Sequence, residues 1–62
     1  MSKIKKILME RDGNSSDEAD ARIKQAIYAV NKLLDSGSIE EAYEVCQDHF
    51  GLEPDYLFEL ID

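Results

Sequence analysis

Cys46 and His49 stand three residues apart, a spacing that puts both side chains on one side of a helix. A thiolate beside an imidazole is a nucleophile arrangement in some enzymes. Cys-x-x-His also supplies two of the four ligands of a structural zinc. The chain completes neither chemistry. It holds one cysteine and one histidine, so a zinc site would need two copies to pool their pairs. Nothing glycine-rich lies nearby to form an oxyanion hole. Both residues also fall on the stripe Ile39, Ala42, Tyr43, Cys46, His49 and Phe50, which predicts burial against a neighbouring helix and an inert thiol.

Two other constellations reduce to helix capping. Asp12, Asn14 and Ser16 alternate like the opening of a calcium loop, but that pattern requires glycine sixth and glutamate twelfth. Asp17 and Ile23 occupy those places, so a capped turn between helices is the better reading. Glu40, Glu41 and Glu44 sit in or near the first turns of a helix, where attraction to its positive end accounts for them. No phosphate-cradling loop, dinucleotide fingerprint or basic aromatic stripe is present. The expectation is a chain that is not an enzyme, takes no cofactor and holds no metal.

These residues are positioned by helices throughout. Ile4, Ile7 and Leu8 recur at helical spacing over residues 2–11, with Gly13 as the stop. Ser15 and Glu18 have capping-box spacing and open a helix over 16–35, along which Ala19, Ile23, Ala26, Ile27, Val30 and Leu34 recur. Ser38 and Glu41 repeat that spacing before a third helix over 39–50. Pro54 suits the first position of a last helix over 54–61, with Leu57, Leu60 and Ile61 inward. The link between the middle helices is about three residues, which makes them antiparallel neighbours. The expected fold is all-α, one small domain of three to four helices built on a central antiparallel αα-hairpin.

Sixty-two residues bury only about 60% of the surface the unfolded chain exposes. Small domains close the resulting gap in stability with disulfides, metal or self-association. A single cysteine excludes an internal disulfide, so a homodimer is expected. The longest hydrophobic run, residues 26–30, is far short of the ~20 that span a bilayer. With no secretory pattern at Met1 to Leu8, the expected location is the cytoplasm.

Charge is divided along the chain. The net charge is −7, yet residues 1–34 carry seven bases against five acids, and no base follows Lys32. Nine acids, Asp35, Glu40, Glu41, Glu44, Asp48, Glu53, Asp55, Glu59 and Asp62, crowd the remainder. Such asymmetry speaks to partners and points away from direct nucleic-acid binding. Met9, Tyr28, Leu33, Val45, Tyr56 and Phe58 fall off the inner stripes, and a convergence of several would mark an interface. The residues expected to meet a protein partner are Tyr56, Phe58, Glu53, Asp55, Glu59, Val45 and Asp48.

Residues 37–56, GSIEEAYEVCQDHFGLEPDY, resemble the second helix of a tetratricopeptide repeat. The first-helix signature of that repeat is missing and one repeat cannot bury its own face, so the likeness reads as shared hairpin physics. MERDGNSSDEAD and FGLEPDYLFELI resemble the opening and closing segments of short acidic helical proteins encoded by bacteriophages and prophages. That resemblance implies an accessory protein without enzymatic activity. It extends to anti-defence proteins that bind and block a bacterial antiphage component, an inhibitor of the Hachiman system being one such possibility. It assigns no functional residue here. A DNA mimic, or a regulator titrating a DNA-binding protein, is the alternative.

Overall fold

The computed structural model describes residues 3–61. Four α-helices and one 3-10 turn follow in order: α1 (Lys3–Arg11), α2 (Ser16–Asp35), α3 (Ile39–Phe50), the 3-10 turn Pro54–Tyr56, and α4 (Leu57–Leu60). The fold is a small all-α bundle, as the periodicity requires. The expected bounds of the two middle helices are met; of the first expected helix, Ser2 lies outside the described residues. Twenty residues at about 1.5 Å each make α2 roughly 30 Å long, and it sets the 33 Å long axis of the bundle.

Each end of α2 is closed by backbone chemistry that its sequence foretells. Ser15 accepts from the Glu18 amide through its hydroxyl, and the Glu18 carboxylate accepts from the Ser15 amide at 2.8 Å, a complete capping box. These hydrogen bonds, the backbone one first, hold the Glu18 carboxyl below its ordinary range. At the other end the Ser38 amide donates to Leu33 O and the Gly37 amide to Leu34 O, the two bonds of a Schellman motif. Gly37 turns the chain at φ +77°, which makes α3 double back along α2.

A Cβ at position 37 would meet nothing within 4 Å, so the cost of filling it is conformational alone. Gly37→Ala is expected to lower stability by about 1–2 kcal/mol, the penalty of the left-handed region. Thermal melting would register this as a drop of about 4–8 °C per kcal/mol in a domain this small. An unchanged midpoint would contradict the assignment.

Two local expectations fail, each for a reason visible in the backbone. Ser38 makes no side-chain cap to α3 and sits at φ −94°, ψ 59°, outside the extended region that capping needs. Its amide is already consumed by the Schellman closure, so Glu41 has no N–H to accept from. The expected last helix over 54–61 is divided. Pro54 opens a 3-10 turn closed by the Tyr56 amide on Glu53 O, and only Leu57–Leu60 is α-helical.

The core comprises Ile4, Leu8, Ala19, Ala26, Val30, Ala42, Val45, Cys46, Phe50, Leu57 and Leu60. Its largest fully buried side chains are Ile4, Leu8, Leu57, Val30 and Cys46, three of them contributed by α1 and α4. The hairpin supplies the frame and the two terminal helices supply much of the bulk. Among the described residues no buried side-chain polar atom lacks a partner. The basic first helix lies against acidic groups of its own chain: Lys5 pairs with Asp20 at 3.0 Å and the Lys3 amide donates to Glu59 at 2.7 Å.

Candidate functional site

Cys46 and His49 part company in the structure. Cys46 is fully buried and free, and burial first, with the nearby Glu59 charge second, pushes its thiol up and away from thiolate. His49 was expected on the buried stripe but is exposed, its ring tilted against Phe50 at 6.1 Å between centroids. The correction follows from what α2 offers opposite it. Arg22 and Gln25 border the depression beside His49, so no apolar surface is there to cover the imidazole. Among the described residues no hydrogen bond joins the pair, and no cluster of three or more His, Cys, Asp or Glu could hold a metal.

Asp12 and Asn14, the would-be calcium ligands, belong to an arginine clamp. Arg22 Nη1 donates to Asp12 at 2.8 Å and to Asn14 Oδ1 at 2.7 Å, while its Nη2 donates to His49 O at 3.0 Å. Arg11 binds both Asp12 oxygens and donates to Phe50 O. The guanidinium of Arg22 also sits 5.7 Å above the Phe50 ring centre. The hydrogen bonds from Arg11, then Arg22, hold the Asp12 carboxyl far below the usual carboxylate range. Two cations thus satisfy terminal carbonyls of α3 where its dipole is negative. The cluster fastens the α1–α2 turn to the end of α3, and its job is structural.

The residues expected to meet a partner separate into four places. Glu53, Asp55, Tyr56 and Glu59 gather with Lys3 around one shallow depression of about 270 Å³. Tyr56 is half-buried and packs against the core, so only part of it is presented. Asp48 lies apart, in the depression with Arg22 and His49. Val45, expected at the surface, is 5% exposed and belongs to the core. It lies in the core rather than in solvent, because the buried stripe of α3 is wider than the one traced through Ile39 and Tyr43.

Phe58 is the exposed anchor of the set, at 58% accessibility. Its ring meets Tyr43 edge to face, with centroids 6.3 Å apart and an interplanar angle of 76°. Tyr43 is half-buried, and Ile39, one turn before it, is 48% exposed although the stripe predicts it inward. Ile39 opens α3 directly after the turn, beyond the reach of the core. Ile61, three residues after Phe58, is also exposed although the expected last helix places it inward, because α4 ends at Leu60. Ile39 shares a face of α3 with Tyr43 and Ile61 follows Phe58, so exposed apolar residues flank the Tyr43–Phe58 contact on the acidic half, with Glu40 and Glu44 beside them on α3. Sequence reading found Phe58 and missed its partners, because Tyr43 and Ile39 fit an inward stripe. Met9 and Tyr28 are exposed on other helices.

No protein-family model, curated protein or solved structure matches this chain. Among the described residues no helix is long and apolar enough to cross a membrane.

Proposed function

We propose that this chain is a small acidic protein-interaction module that acts by stoichiometric association, with Ile39, Tyr43, Phe58 and Ile61 as the centre of its contact surface. The observation that carries the reading is the exposed Phe58 ring set against half-buried Tyr43, on a stretch of the chain with no lysine or arginine after Lys32. Aromatic residues ringed by polar groups are the usual composition of an interface centre. Among the described residues Cys46 is buried and His49 stands apart from it in solvent, which favours binding over catalysis. The particular role proposed is inhibition of a bacterial antiphage defence protein in the host cytoplasm, on the likeness of residues 9–20 and 50–61 to small phage-encoded proteins.

The test is capture from bacterial lysate with the wild-type chain and Phe58→Ala as baits. A stoichiometric partner that withstands high salt is expected for the wild type, with affinity at least about tenfold lower for the variant. Capture that collapses in salt and is competed by duplex DNA would replace this reading with DNA mimicry. Capture indifferent to Phe58 would remove the proposed surface.

A further inference from the structure

The chemistry of the partner follows from the same surface and rests on the protein-binding reading above. We infer that this surface receives a basic amphipathic helix of a partner protein. Its apolar side lies on Ile39, Tyr43, Phe58 and Ile61, and its lysines or arginines reach Glu40 and Glu44.

Form argues for a helix. Among the described residues there is no strand, so no sheet edge is offered to an extended peptide. The surface is instead made of two helix faces, Ile39 and Tyr43 on α3 and Phe58 with Ile61 at α4, joined through the Tyr43–Phe58 contact. Side chains spaced at three and four residues on an incoming helix can interdigitate with such rows.

Charge decides between a foreign partner and a second copy. Glu40 and Glu44 follow Ile39 and Tyr43 directly on α3, one step round the helix, so carboxylates border the apolar row on that helix. Two copies meeting through this face would set carboxylate against carboxylate, which opposes association. A second copy offers bases on two helices. On α1, Ile4 and Leu8 are fully buried in its own core and Lys5 is engaged by Asp20; on α2, Lys24 and Lys32 flank a single exposed large apolar residue, Tyr28. Neither presents a continuous apolar side bordered by bases. A partner helix with a free apolar side can, and opposite charge would speed its encounter.

The test is titration of the isotope-labelled chain, followed by amide NMR, with a synthetic peptide bearing leucines on one helical side and lysines elsewhere. Controls are a scrambled peptide of the same composition and a peptide with glutamate for lysine. Saturable shifts confined to the amides of residues 39–44 and 55–61 are expected, with affinity falling at least about tenfold in Phe58→Ser. The glutamate peptide should not bind. Because Phe58 is exposed, the variant's own spectrum should show the fold intact. No binding, equal binding of the scrambled peptide, or shifts centred on α1 and α2 would overturn the inference. So would a dimer mass in sedimentation that Phe58→Ser abolishes, since a second copy would then be the occupant. If lysate capture depends on Phe58 while the peptide fails, the inference falls and the protein-binding reading stands. If capture ignores Phe58, the reading itself falls.

Discussion

Replacing Leu57 with alanine is expected to remove most of the stability of this fold. Leu57 is fully buried and, with Leu60, anchors α4 in the core. A one-turn helix has no stability of its own in water, so packing alone holds it. Truncating a buried leucine costs about 2–5 kcal/mol in transfer and cavity terms. A chain of 62 residues has a total of only about 3–9 kcal/mol at the usual 0.05–0.15 per residue. Urea unfolding followed by circular dichroism should therefore show a midpoint moved to low denaturant or no transition at all. The neighbouring Phe58→Ala should change stability by no more than about 0.5 kcal/mol, because that ring is mostly in solvent. Adjacent positions in one short helix thus separate structure from binding. A Leu57→Ala variant as stable as wild type would show that α4 is not part of the cooperative unit.

The second large effect is expected at Arg22, which no local pattern singles out. Arg22→Ala strips donors from Asp12, Asn14 and His49 O and uncovers the face of Phe50. Hydrogen bonds to charged groups are worth about 1.5–3 kcal/mol, and partial exposure of this site brings the expected loss to about 1–2. Arg22→Lys should recover only part of it, since one ammonium cannot span three acceptors arranged for a planar fork.

Acid is the second readout of the same clamp. The folded carboxyl of Asp12 is held below its unfolded value of about 3.9 by Arg11 and Arg22. Its contribution is therefore complete above that value and is lost as pH falls through the lower folded one. Unfolding curves of wild type and Asp12→Asn should run parallel near neutrality and converge below about pH 4. Curves that stay parallel into strong acid would place the depressed carboxyl elsewhere.

Helix placement was legible in the residues because its causes are local. Ser15 and Glu18 form the box their spacing foretells, and Gly37 and Gly51 adopt the left-handed turns at the ends of α2 and α3. Competition between local signals was not legible. Ser38 carries the same S-x-x-E spacing as Ser15, yet the preceding helix takes its amide first. The breadth of a buried stripe was also hidden. Val45 is inside and Ile39 outside because burial depends on where the neighbouring helices end, and periodicity does not report that.

By itself, the sequence determined the all-α class, the bounds of α2 and α3, the hairpin between them and the separation of charge. Each of these rests on interactions within a few residues or on composition. Tertiary structure alone decided that Arg11 and Arg22 bind the end of α3, that His49 is left in solvent beside a buried Cys46, and that Tyr43 meets Phe58. Those contacts join residues 15 to 39 positions apart; the Arg22 contact forms when the hairpin closes, and those of Arg11 and Phe58 form when α1 and α4 pack on it. Spacing along one helix can set which residues share a face, but which faces meet is fixed by packing the whole chain.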